Sequence, residues 1–305
     1  MAIIIETKNM TKEYTPTTGC FDINLQIKEG SVFGFIGPNG AGKTTVIRQL
    51  VGFIKSQKGS GTILGHDVWK NTKQIMEHVG YVPGEPALPL YMKGRVFLKS
   101  MANIRGGVDL KYLEKLIKYF DIEKEVDKKI KKMSKGMKQK IAIINAFVHK
   151  PKILILDEPS SGLDPLMQEK INKLIEQAQA DKTTIFLSSH IFGEISSTCD
   201  EVAFIKNGHI VSQISMVDLK NYKEKVFEFL FDNKDDYNAF KKIPFTIVKS
   251  NVAKNLVEVS IKLNEIDKFK DEIKNYKYKT YKEMPFNLER HFVSLYGSES
   301  DISDL

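Results

Sequence analysis

Residues 32–45 read Val32-Phe33-Gly34-Phe35-Ile36-Gly37-Pro38-Asn39-Gly40-Ala41-Gly42-Lys43-Thr44-Thr45. The first five form a short, continuously apolar run, the pattern of a strand covered on both faces in a parallel sheet. A glycine-rich turn, Gly37–Gly42, follows, and an amphipathic helix is expected from about Lys43. The stretch satisfies G-x-x-x-x-G-K-[ST] between a strand and a helix, which is the setting this pattern needs. Glycines permit the dihedrals and the close approach that turn backbone N–H groups inward around an anion. The helix N-terminus adds its positive dipole end. In such a cradle, which runs from Gly37 to Thr45, Lys43 reaches the β- and γ-phosphates of a nucleotide and the Thr44 hydroxyl ligates Mg²⁺.

A second signal lies 114 positions beyond Lys43, where Ile153-Leu154-Ile155-Leu156 ends in Asp157-Glu158. A carboxylate closing a buried strand is costly unless it meets a cation. Mg²⁺ beside the phosphate loop supplies that cation for Asp157, and Glu158 becomes the candidate base for an attacking water. Thr184–Leu187 reads as a further buried strand, Ile3–Lys8 as an edge strand and Phe21–Ile27 as an alternating one. Residues from Gly65 to Lys150 read as mostly helical, shown by the spacing of Leu113, Leu116, Ile117 and Phe120. Strands alternating with helices predict a doubly wound α/β core over residues 1–210, with a helical subdomain at about 85–150.

After Val211 the pattern changes. Val226–Phe231, Phe245–Lys249, Leu256–Lys262 and Tyr278–Lys282 read as strands, and Asp235–Lys242 and Glu265–Tyr276 as helices. The resulting order β-α-β-β-α-β predicts a small α+β domain of ferredoxin-like type over residues 211–305. Leu288–Leu295 reads as a last short helix and Gly297–Leu305 as a frayed polar end. This second region shows no metal-ligand or nucleophile constellation, and His209 and His291 stand isolated. Its run Lys274–Lys282 alternates Lys with Tyr, which reads either as an RNA contact or as a polar-faced edge strand.

Composition sets outer limits. The 305 residues are 42% hydrophobic and 28% charged, with 46 Lys+Arg against 38 Asp+Glu. Gly and Pro are not in excess, which excludes collagen-like and disordered chains. No apolar run approaches the roughly 20 residues a spanning helix needs, and no secretory signal is visible. Cys20 and Cys199 read as reduced thiols of a cytosolic protein. Residues 211–305 carry 16 basic and 16 acidic residues, so the net charge of +8 lies wholly in residues 1–210. That basic half is expected to meet something anionic: a nucleotide, a nucleic acid or an anionic membrane surface.

Further motifs sharpen this. Ser134-Lys135-Gly136-Met137-Lys138-Gln139 precedes a helix, Ser161-Gly162-Leu163-Asp164-Pro165 follows the Asp157-Glu158 strand, and His190 follows Ser188-Ser189 at the end of another. With these elements in this order, most of residues 1–210 resembles the ATP-binding subunit of an ABC transporter. The resemblance makes Ser134 and Gly136 the signature loop that contacts the γ-phosphate, Asp164 part of the D-loop, and His190 the switch histidine. It also places Tyr14, 29 positions before Lys43, where an aromatic ring stacks on adenine. Taken alone, Tyr14 also reads as packing at a strand edge, Asp164 as a turn former, and the lysines at 128–140 as a solvated face.

Two departures stand out. Gly80-Tyr81-Val82-Pro83-Gly84-Glu85 has Gly84 where the family carries the Q-loop glutamine, so Glu85 either approaches Mg²⁺ through oxygen or faces solvent. Lys135 and Met137 replace the Gly and Gln of the commoner signature. Such signature loops resemble those of ABC-2-type multidrug, bacteriocin and peptide exporters. The resemblance implies ATP and Mg²⁺ as cofactors and a head-to-tail dimer with a second copy or a similar subunit. It further implies an ATPase driving a separate transmembrane permease, on the cytoplasmic face of the membrane as a peripheral subunit. Residues 211–305 then serve dimerisation or regulation, and no direct nucleic-acid contact is expected. The competing reading is a non-transport ABC ATPase acting in immunity, in assembly, or on nucleic acid or the ribosome.

Overall fold

The computed structural model describes residues 2–107, 109–220 and 224–284, together with Leu288 and Phe292. Contacts divide the chain into two units, the first ending at Ile214 and the second beginning at Ser215.

In the first unit, elements follow as β1 (Ile3–Thr15), β2 (Thr18–Lys28), β3 (Val32–Ile36), α1 (Lys43–Leu50), β4 (Lys58–Ile63), β5 (His66–Asp67), α2 (Thr72–Met76) and β6 (Val79–Val82). Then come α3 (Gly94–Ile104), α4 (Leu110–Tyr119), α5 (Lys135–Phe147), β7 (Ile153–Asp157), α6 (Pro165–Ala180), β8 (Thr184–Ser189), α7 (Phe192–Thr198), β9 (Glu201–Lys206) and β10 (His209–Ser215). They build two sheets. One is six-stranded in the order β10-β9-β3-β8-β7-β6, and the other is four-stranded in the order β2-β1-β4-β5.

β3, β7 and β8 are buried along their whole lengths, as continuous apolar strands with covered faces must be. They run parallel, with Ile36 opposite Ser189 and Asp157 opposite Ser188. Three strands therefore end at one edge of the sheet, where ligands of open α/β sheets bind. Helix α1 packs between the sheets, touching β2, β4 and β7, and buries Val46, Ile47 and Leu50. Ile5, Met10, Ile23, Phe33, Phe35, Ile155 and Phe186 share its core.

Three expectations change here. Ile3–Lys8 belongs to a longer strand, β1, hydrogen-bonded to β2 on one side and β4 on the other, so it is no edge. β4, β5 and β6 interrupt residues expected as helix or left unassigned, and β9 and β10 extend the sheet. Pairing of β10 with β9 keeps residues 211–214 in the first unit.

The second unit contains α8 (Met216–Lys220), β11 (Glu224–Leu230), α9 (Lys234–Phe240), β12 (Thr246–Asn251), β13 (Leu256–Lys262), α10 (Ile266–Glu272) and β14 (Thr280–Met284). From β11 onward the order is β-α-β-β-α-β, folded into one antiparallel sheet β12-β13-β11-β14. Phe227, Phe229, Val257 and Val259 of the sheet pack with Tyr237, Phe240 and Phe269 of the helices. The Lys–Tyr run is folded into this structure. Tyr278 and Tyr281 lie 5.3 and 5.5 Å from the Phe229 ring, while Lys279 pairs with Asp232 and Lys282 with Glu228. Its β14 is a polar edge strand. The expected helix Leu288–Leu295 and end Gly297–Leu305 lie outside the described residues, apart from Leu288 and Phe292, both helical and buried.

Among the described residues no helix is long and apolar enough to cross a membrane. Cys20 and Cys199 are free and buried, and burial pushes both thiols above the usual range. A thiol that stays protonated is a poor nucleophile. In the folded chain at pH 8 neither cysteine is expected to react with iodoacetamide, whereas denaturant should expose both; mass spectrometry of the alkylated protein reads the difference.

Candidate functional site

The turn Gly37–Gly42 leaves β3 and enters α1, whose N-cap is Gly42 with a left-handed φ of 105°. A side chain at Gly42 would meet the Gly19 carbonyl at 2.5 Å, and one at Gly37 would meet the Ile205 carbonyl at 2.3 Å. Glycine at both ends lets the loop lie closely between β2 and β9. Ala41 N–H donates to the Pro38 carbonyl at 3.1 Å, and Gly208 N–H to the Ala41 carbonyl at 2.9 Å, which fixes the turn from both sides.

Lys43 is 5% exposed. Its ammonium donates to the Gly37 carbonyl at 2.6 Å and the Pro38 carbonyl at 3.2 Å, and it pairs with Glu158 Oε1 at 3.2 Å. These oxygens replace the hydration that burial removes from the ammonium. The other Glu158 oxygen lies 3.3 Å from His190 Nδ1. One carboxylate thus spans the loop lysine and the strand-end histidine.

Asp157, 1% exposed, ends β7. Ser188 donates to its Oδ1 at 2.6 Å, while Oδ2 has no hydrogen-bond partner among the described residues. Burial pushes the Asp157 carboxyl above the usual range, opposed by the hydroxyls of Ser188 and Thr44 and by Lys43. A buried carboxylate oxygen without a donor fits a cation. Asp157 and Thr44 therefore suit a hard, oxygen-seeking ion such as Mg²⁺.

Glu158 carries a second peculiarity: its φ is 48°, in the left-handed region that favours glycine. Such a backbone costs on the order of 1–3 kcal/mol and persists only where its surroundings hold it. Here its N–H donates to the Ser188 carbonyl at 3.1 Å, and its own carbonyl accepts from Ser161 N–H at 3.1 Å.

The remaining expected site residues lie elsewhere. Ser134 caps α5, accepting from Met137 N–H at 3.3 Å. A side-chain carbon at Gly136 would touch Leu163, and one at Gly162 would touch the Lys135 side chain. Gln139 donates to the Pro159 carbonyl at 2.9 Å. The 134–139 segment therefore packs on the loop that follows Glu158. Asp164 caps α6, accepting from Met167 N–H at 3.0 Å, so it holds the position of a turn former and a cap. Tyr14 is exposed, with the Lys12 ammonium 5.7 Å from its ring centre. Glu85 is exposed, and Gly84 is the residue beside Asp157: a carbon added there would lie 3.6–3.8 Å from Asp157 atoms.

Sequence reasoning passed over Ser188, which touches both Asp157 and Glu158. It also passed over Glu194, a buried carboxylate behind His190. The available signal was positional: Ser188 abuts Asp157 through the parallel register, and Glu194 sits in the first turn of the helix that follows His190.

The chain has relatives among known proteins. The sequence profile of the ABC transporter family matches residues 20–161. The bacitracin transport ATP-binding protein BcrA of Bacillus licheniformis is 36% identical over 230 residues, 75% of either chain. An uncharacterized ABC transporter ATP-binding protein of Bacillus subtilis, YcbN, is 28% identical over 98% of this chain and 99% of its own. Among solved structures, an ATP-binding subunit of an ABC transporter superposes with a TM-score of 0.67 at 28% identity, covering 72% of this chain and 92% of its own.

Replacing the loop lysine tests the cradle directly. Charge-assisted hydrogen bonds to a phosphate are worth about 1.5–3 kcal/mol, so Lys43→Ala is expected to weaken ATP binding by roughly 10- to 100-fold in titration calorimetry.

Proposed function

Because the chain belongs to the ATP-binding subunits of ABC transporters, we propose that it is the ATP-hydrolysing motor of a membrane exporter working through a separate transmembrane permease. It is an ATP-binding ATPase cassette. The similarity to a bacitracin transport subunit supports export, and the +8 charge of residues 1–210 suits work at the anionic cytoplasmic face of a membrane.

One observation carries the assignment of residues: Lys43, Asp157, Glu158 and His190 converge at one strand edge, while Gly136 and Gln139 pack on the following loop and Ser134 caps the same helix. Gly37–Thr45 cradles the triphosphate, with Lys43 moving its charge from Glu158 to the β- and γ-phosphates. Thr44 and Asp157 would hold Mg²⁺, which would supply positive charge against the phosphate oxygens. Glu85, exposed next to Gly84, would approach such a metal or its waters through a carboxylate oxygen.

Once Lys43 has turned to the phosphates, Glu158 is free to accept the proton of the attacking water. His190, 3.3 Å from Glu158, then stands ready to contact the γ-phosphate. Tyr14, exposed on β1, offers a face for adenine. The exposed Ser134 and Asp164 serve a site on a second copy or a similar subunit, so two chains meet head-to-tail around two nucleotides. Residues beyond Ser215 are assigned to dimerisation or regulation.

Glu158→Gln removes the base and keeps the shape. Steady-state phosphate release is expected to fall by about 10²–10⁴-fold while ATP still binds, and ATP should then shift the variant to a dimer in size-exclusion chromatography. Normal hydrolysis by that variant would remove Glu158 from its role.

A further inference from the structure

Helix α7 presents a carboxylate that the hydrolytic scheme leaves unused. Glu194 is 6% exposed. Its Oε1 accepts from Ser160 Oγ at 2.5 Å and its Oε2 from Ser189 Oγ at 2.5 Å. Both serines are 2% exposed. Ser160 lies two residues after Glu158, and Ser189 immediately before His190. The Ser189 hydroxyl also accepts from Ile191 N–H at 3.0 Å, which tightens the turn out of β8. Thr198 donates to the Glu194 carbonyl at 2.7 Å and ties the helix behind it.

A buried carboxylate with both oxygens committed is a rigid two-pronged clamp. This clamp joins the two chain segments that carry the facing side chains of Glu158 and His190. Glu158 also needs holding, because its left-handed backbone at φ 48° relaxes wherever the surrounding structure permits. Among the described residues its own carbonyl and N–H reach only Ser161 and Ser188; the turn between is anchored to α7 through Ser160 and Glu194.

We propose that Glu194 is a positioning residue for hydrolysis: by binding Ser160 and Ser189 together, it sets the mutual orientation of Glu158 and His190. The inference rests on the reading of Glu158 as the base. Glu194 itself touches no substrate. Burial pushes its carboxyl above the usual range, with Ser160 and Ser189 opposing, so a neutral amide of the same shape is a close substitute. The amide introduced by Glu194→Gln would accept from one serine and donate to the other.

The test uses the full chain with its single and double variants. Glu194→Ala is expected to lower kcat by roughly 10- to 100-fold, the scale of a misplaced reacting group, with KM changed less than about threefold. Glu194→Gln is expected to restore kcat to within about threefold of the parent. Ser160→Ala and Ser189→Ala each remove one prong, with intermediate losses in kcat expected.

In a Glu158→Gln background, Glu194→Ala is expected to add no further loss, because both act on one group. Equal losses from Ala and Gln, full additivity with Glu158→Gln, or a fall in melting temperature with unchanged kcat would each overturn the proposal. Unimpaired hydrolysis by Glu158→Gln alone would instead strike at the base assignment, so the two failures are told apart.

Discussion

The candidate site depends on the register of three parallel strands. With Asp157 opposite Ser188 and Ile36 opposite Ser189, the glycine turn, the Asp157-Glu158 pair and the segment leading to His190 leave the sheet at one edge. A shift of one residue in any of these strands would send the terminal side chain to the other face of the sheet. Because these strands are buried on both faces, a slip would keep apolar residues covered but would exchange which side chains pack on which face. Packing far from the edge therefore decides which polar groups meet there.

Those polar groups are arranged under tension. Lys43 is nearly sealed from water and is satisfied by two loop carbonyls and by Glu158. Asp157 keeps one carboxylate oxygen without a hydrogen-bond partner among the described residues. Glu158 sits on a backbone conformation that disfavours its side chain. Each arrangement costs free energy in the folded chain and is compensated by the core beneath it. A phosphate ligand accompanied by a metal would relieve the first two, offering anionic oxygen to Lys43 and a cation to Asp157. The strain at Glu158 remains, which makes the Ser160–Glu194–Ser189 clamp a natural companion to the site.

Much of this was legible in the chain. Gly37–Thr45, Asp157-Glu158 and His190 are local signals, written in short contiguous stretches at the ends of largely apolar strands. The second unit was legible for the same reason, since its strands and helices alternate cleanly from Glu224 to Met284. β1 was misread because its residues after Lys8 are mostly polar, while Met10 and Thr11 are buried by pairing with distant strands. β6 was hidden by its length of four residues inside a helical region. Glu194 looked like one more acidic residue on a short helix. Its burial follows from Ser160, 34 positions away, and no local pattern reports that contact.

The packing of Gly136 and Gln139 on the loop after Glu158, with the exposed Ser134 capping their helix, leads to the central claim: one chain holds two halves of two sites. Complementation tests it most directly. A Lys43→Ala chain, with a defective phosphate cradle, is mixed with a Ser134→Ala chain, with a defective signature, and ATP hydrolysis is measured against each alone. If the site forms between copies, the mixed dimer contains one site with both halves intact, and the mixture hydrolyses ATP well above the sum of its parts. If the mixture shows only that sum while each variant folds and dimerises, the site is complete within a single chain and the account is contradicted.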